Sequence, residues 1–166
     1  MGGGSGELIG GVLLHNSGLK GLAFDLVRCE DEAREHFSRL GIADRCRFVA
    51  GSFFETVPSG ADTILMKSII HNWKDDRSRI ILHKCWDALP ADGKLIIIER
   101  LMPELATTDA QDRERAMSDL NMLQGMGGLE RTEAEYRTLA ESAGFVFART
   151  SNAGSFSLIQ FDKVAN

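Results

Sequence analysis

Two apolar runs most constrain what this chain can fold into. "ADTILMKSII" at positions 61–70 and "DGKLIIIERL" at 92–101 each carry a continuous aliphatic stretch. A strand with one wet face alternates apolar and polar residues. An uninterrupted run is the pattern of a strand buried on both faces, as in a parallel sheet covered by helices. Between the two lies "DDRSRIILHKCWDALP" (75–90), with Ile81, Leu82, Cys85 and Leu89 at helical spacing and Asp75 and Asp76 favouring its start. Strand, helix and strand in this order predict a parallel crossover unit.

The remaining chain continues the alternation. "ELIGGVLLHN" (7–16) reads as a helix stopped near Asn16–Gly18, and "GLKGLAFDL" (18–26) as a strand closing on Asp25. "CEDEAREHFSRLG" (29–41) is a helix with Ala33, Phe37 and Leu40 on one face, and "RCRFVAG" (45–51) is a strand. A polar helical stretch is expected over about 109–124. "TEAEYRTLAESAG" (132–144) opens on a capping-box pattern at Thr132 and Glu135. "GFVFARTS" and "SFSLIQFDK" read as strands joined through "NAG", a hairpin at the end of the chain. The expected fold is α/β: a sheet with helices on both faces and an antiparallel terminal hairpin, one domain over residues 1–166.

Composition narrows the function classes. A formal charge of -5 argues against a general nucleic-acid binder. Nothing approaches the roughly 18 apolar residues of a membrane span, and the start lacks a secretory pattern. Cys29, Cys46 and Cys85 are too few and too widely spaced for a disulfide framework or a zinc knuckle. The expectation is a cytoplasmic protein without a metal site.

Ligands in such sheets sit at the carboxyl ends of the strands, so those positions carry the chemistry. Gly2, Gly3, Gly4, Ser5 and Gly6 precede the first helix, and Asp25 ends the strand that follows. A glycine loop presents bare backbone N–H groups, and a strand-end carboxylate can accept both hydroxyls of a ribose. The same glycines would equally make a flexible linker. The absence of Gly-Lys-Ser/Thr disfavours a phosphate-cradling nucleotidase loop. "MKSIIHNW" places His71 just past a buried strand, either as a proton acceptor in the cleft or as a residue packed beside Trp73. His15, His36 and His83 fall on helices and are read as structural. Glu99 interrupts the end of a very apolar strand, exposed beyond the sheet or held for a partner. Glu130 precedes a helix, where a carboxylate also suits the dipole.

The order of these segments separates the readings. Glycine loop, "FDL", "GSFFE", "LMKSIIHNW", "LPADGKLIIIERLMPE", "SDLNML" and "GGLERTEAEY" follow one another as in a single family. The chain resembles the S-adenosylmethionine-dependent O-methyltransferases of the plant caffeate and bacterial secondary-metabolite type, over essentially its whole length. The resemblance implies a Rossmann-like class I methyltransferase sheet. It implies methyl transfer from S-adenosyl-L-methionine to a hydroxyl of a small, aromatic metabolite, with His71 as general base flanked by Glu99 and Glu130. Gly2, Gly4, Asp25, Leu26, Ser52, Phe53 and Lys67 match cofactor positions, and Asp119, Asn121 and Met122 match the acceptor pocket. At position 52 the family usually carries aspartate where this chain has serine.

Two departures shape the expectation further. The family's amino-terminal dimerisation domain has no counterpart here, although the parent enzyme is expected to be a homodimer. The glycine loop should follow an apolar strand at the middle of the sheet, and Met1 stands where that strand would end. The first, central strand is therefore expected to be missing, and the chain is read as a carboxyl-terminal fragment. Two alternatives accompany the leading reading: a decarboxylase or hydroxylase relative that retains the cofactor, and an inactive cofactor-binding fragment.

Overall fold

The computed structural model describes residues 1–105, 107, 117, 119 and 128–164. Among these, six strands and four α-helices alternate in the predicted order. They are α1 (Glu7–His15), β1 (Gly21–Asp25), α2 (Glu30–Arg39), β2 (Cys46–Ala50), β3 (Thr63–Lys67) and α3 (Asp75–Ala88). After these come β4 (Lys94–Glu99), α4 (Glu133–Ser142), β5 (Val146–Ala153) and β6 (Phe156–Asp162). The polar helical stretch expected over 109–124 falls almost wholly outside the described residues.

β3 and β4 run parallel, in register Thr63 with Lys94 through Lys67 with Ile98. β6 adds antiparallel to β4 and β5 to β6, giving the order β3-β4-β6-β5. α3 buries Ser78, Ile81, Leu82 and Cys85, while α4 buries Tyr136, Leu139 and Ala140, and both contribute to one apolar cluster with Met66, Leu95, Ile97 and Phe161. The capping box is formed: Thr132 Oγ1 accepts from the Glu135 N–H, and the Glu135 carboxylate accepts from the Thr132 N–H.

β1 and β2 form a separate parallel pair. Their core is a second cluster of Leu13, Ala23, Ala33, Phe37, Ile42, Cys46 and Phe48. No strand ladder joins β1 to β3 among the described residues. The amino-terminal segment crosses the seam instead: the Met1 ammonium donates to the Leu65 carbonyl at 2.7 Å, and the Gly3 N–H to the Phe24 carbonyl at 3.2 Å. Beneath this segment a cavity of about 720 Å³ opens between the edges Leu22–Phe24 and Thr63–Leu65. The split between the two sheets lies alongside the glycine segment that precedes α1. No helix among the described residues is long and apolar enough to cross a membrane.

Candidate active site

The carboxyl ends of β1 and β2 carry the glycine loop's partners. Gly4 has a left-handed backbone (φ 49°), and a Cβ built on it would meet nothing within 4 Å, so its surface opens toward free space. Its N–H donates to Asp25 Oδ2 at 2.8 Å, and the Leu26 N–H donates to Oδ1 at 2.7 Å. Asp25 thus holds the loop and keeps lone pairs for further donors. Next to it, the Gly51 N–H donates to the Asp25 carbonyl, which sets Ser52 and Phe53 beside the acid. Ser52 Oγ accepts from the Phe54 N–H at 3.3 Å. Phe53 packs edge-on against Phe54 and Trp73. Lys67, at the end of β3, holds its ammonium 4.6 Å from the centre of the Phe156 ring.

The second group surrounds a short 3-10 turn, Ile70–Asn72, reached through Ser68 in a left-handed conformation (φ 55°). Such a conformation is strained for a residue with a Cβ and clusters at functional turns. Glu99, at the end of β4, is fully buried. Its Oε1 accepts the N–H groups of Ile69 at 3.0 Å, Ile70 at 3.1 Å and His71 at 3.4 Å. Its Oε2 lies 3.5 Å from His71 Nδ1 and makes no hydrogen bond among the described residues. Glu130 Oε1 lies 3.5 Å from the same nitrogen, and Asp119 Oδ1 accepts the Glu130 N–H at 2.8 Å. His71, Glu99, Glu130 and Asp119 therefore converge, whereas Asn121 and Met122 lie outside the described residues.

The electrostatics follow from burial and charge. Burial weighs against an imidazolium, but the Glu130 contact and the charges of Glu99 and Glu130 outweigh it, so the pKa of His71 is raised. Burial pushes Glu99 up to about 7, against the pull of the His71 charge and the backbone N–H groups. An imidazole between two carboxylates titrates as one coupled unit.

A buried arginine completes the cluster and was not singled out by the sequence. Arg131 is 1% exposed and donates to the Ile70, Leu129 and Trp73 carbonyls and to Asp75. A signal was available: a cation one residue before the Thr132 N-cap opposes the helix dipole, so something else must hold it there.

An O-methyltransferase domain profile matches residues 1–146. The chain belongs to the O-methyltransferase family. It is 40% identical over 165 residues to desmethyl-yatein O-methyltransferase of Sinopodophyllum hexandrum, covering 98% of this chain and 45% of that protein. It is 34% identical over 172 residues to aclacinomycin 10-hydroxylase of Streptomyces purpurascens, covering 99% and 45%. Among solved structures it matches an O-methyltransferase from neocarzinostatin biosynthesis in complex with S-adenosylmethionine and 2-hydroxy-5-methyl naphthoic acid. The TM-score is 0.88 with 29% identity, over 98% of this chain and 48% of that one. This O-methyltransferase chain spans less than half the length of these relatives.

Proposed function

We propose that the chain is the S-adenosylmethionine-binding, catalytic part of an O-methyltransferase acting on a hydroxyl of a small aromatic metabolite. The observation that carries this reading is the placement of His71 Nδ1 at 3.5 Å from both Glu99 and Glu130.

The strand ends fit the cofactor. The open face of Gly4, with the Asp25 carboxylate and the half-buried Phe53 beside it, offers a backbone cradle, a hydroxyl acceptor and an apolar wall. Gly2, Leu26, Ser52 and Lys67 complete this set. When bound, the cofactor supplies a methyl group on a sulfonium. His71 takes the acceptor's hydroxyl proton on Nε2, the nitrogen left free by the two carboxylates. Glu99 and Glu130 hold the ring's tautomer and stabilise the imidazolium that forms. The 3.5 Å separations are longer than a charge-assisted hydrogen bond and tighten when the proton arrives. Asp119 fixes the backbone of Glu130 at the acceptor side. The three unpaired cysteines suit a reducing cytoplasm.

The test is purified protein with S-adenosylmethionine and a panel of phenolic acceptors. His71→Ala should abolish methyl transfer, by at least the 10²–10⁴ typical of general base catalysis, while calorimetry still reports cofactor binding. Turnover unaffected by this change overturns the assignment of His71. A second reading, favoured by the likeness to a hydroxylase, keeps the cofactor site and performs hydroxylation or decarboxylation. Oxygen-dependent formation of a hydroxylated product, or release of carbon dioxide without oxygen uptake, each without a transferred methyl, would establish it.

A further inference from the structure

Arg131 makes an unusually complete set of contacts for a side chain outside the reacting cluster. A guanidinium has five N–H groups, and every one of them has an acceptor here. Nε donates to Asp75 Oδ1 at 3.3 Å. Nη1 reaches the Ile70 carbonyl at 3.2 Å and the Leu129 carbonyl at 3.5 Å. Nη2 reaches the Trp73 carbonyl at 2.8 Å and Asp75 Oδ1 at 2.9 Å. Ile70 and Trp73 stand on either side of His71–Asn72, so one planar group grips both ends of the turn that carries the imidazole.

The arginine's own backbone is fixed to a different element. Its carbonyl accepts the Met102 N–H at 2.9 Å, and it bridges Leu101 just beyond β4, the strand that ends in Glu99. The residue before it is Glu130. The Leu129 N–H donates to the His71 carbonyl at 2.9 Å, tying the same segment to the turn a second time. Glu99 holds the turn's N–H groups from one side while Arg131 holds its carbonyls from the other. Base, first carboxylate and second carboxylate are thus referred to a single frame.

We infer that Arg131 is the positioning residue that sets the separation of His71 from Glu99 and Glu130, by clamping the carbonyls on both sides of the base. Its catalytic consequence rests on the function proposed above; the positioning itself does not. A lysine keeps the charge but offers three donors from one nitrogen, which cannot span Ile70 and Trp73 together. The groups that face the imidazole are Glu99 from the end of β4, Glu130 from the segment before α4, and the Ser68 carbonyl. Loosening the clamp moves the ring away from the two carboxylates and lets its pKa fall toward the ordinary histidine value.

The experiment is an NMR titration of the His71 ring in the wild type and in Arg131→Lys. His71→Ala assigns the resonance among the four histidines. Methyl transfer and cofactor binding are measured in parallel. Arg131→Lys should lower the His71 pKa and reduce kcat by on the order of 10²-fold, the cost of about a 1 Å misplacement. The cofactor Kd should stay within twofold, because the glycine loop and Asp25 are untouched. A folded Arg131→Lys protein whose His71 titrates as in the wild type overturns the inference. Should that variant fail to fold, Asp75→Asn is titrated instead. Asp75 is half exposed and anchors Nε and Nη2, so its loss should displace the His71 pKa in the same direction and by less; an unmoved ring there overturns the inference too. If the wild type transfers no methyl group to any acceptor while the His71 shift is still seen, the proposed function fails and the positioning role stands.

Discussion

The two halves of this molecule are specified by different materials. The β1–β2 half presents mainly backbone at its strand ends: a glycine loop, strand-end N–H groups and one carboxylate that is itself tied to the loop. The β3–β4 half is built around buried charge, with Glu99, Glu130 and Arg131 all enclosed around one histidine. Backbone sites hold shape and tolerate exchange of nearby side chains. Buried charge fixes protonation and tolerates very little, since removing one partner strands another. Changes in the first half should therefore alter binding, and changes in the second should alter chemistry.

The largest effect should come from crowding the charged half where it meets backbone. A Cβ on Gly128 would collide with the His71 carbonyl and the Asn72 backbone, neither of which is a flexible side-chain end. Gly128→Ala should cost about 1–3 kcal/mol of stability through overpacking and remove methyl transfer. Thermal unfolding and an activity assay together check it.

A smaller but more diagnostic effect is expected from Glu130→Gln. The loss of a negative neighbour lowers the His71 pKa, so the acid limb of the pH–rate profile should move to lower pH while the maximal rate falls. A limb that stays in place would separate Glu130 from the base.

The backbone half should respond in the opposite sense. Asp25→Ala removes a hydroxyl acceptor and frees the Gly4 N–H, and should weaken S-adenosylmethionine binding by about tenfold, equivalent to about 1.4 kcal/mol. Its pH profile should match the wild type; a displaced profile would mean that the two halves are electrostatically coupled.

The slightest change concerns how stability varies with pH, to which Glu99 contributes in addition to its place beside His71. The pKa of Glu99 is raised in the folded protein to about 7, so folding favours the protonated acid. The stability this lends is fully present below the unfolded carboxyl value of about 4.3 and is lost as pH rises toward 7. Glu99→Gln should flatten that decline in urea unfolding measured across the interval.

How much of this was legible in the sequence depends on what each feature is made of. The apolar runs of β3 and β4 and the Thr132–Glu135 box are local patterns, and local patterns write themselves into sequence. Glu99 was visible as an anomaly, an acid ending a wholly aliphatic strand, yet its burial beneath three N–H groups was not. Those donors come from a turn some 28–30 residues away in the chain. Arg131 was legible only as a cation misplaced ahead of a helix, and its clamp was not, because most of its acceptors are carbonyls whose positions exist only once the chain has folded. The left-handed Ser68 left no trace at all, since nothing about a serine announces a positive φ.

The seam between β1 and β3 has a thermodynamic consequence. Two apolar clusters that share no strand ladder among the described residues need not melt together, and each can open as a cooperative unit with its own free energy. The molecule carries a reporter in each. Cys46 lies in the smaller cluster and Cys85 in the larger, and burial raises their thiols to about 11 and about 12, which leaves both inert until their half opens. Under mild denaturant an alkylating reagent should reach Cys46 before Cys85, so that the order of labelling records the seam as a boundary in unfolding.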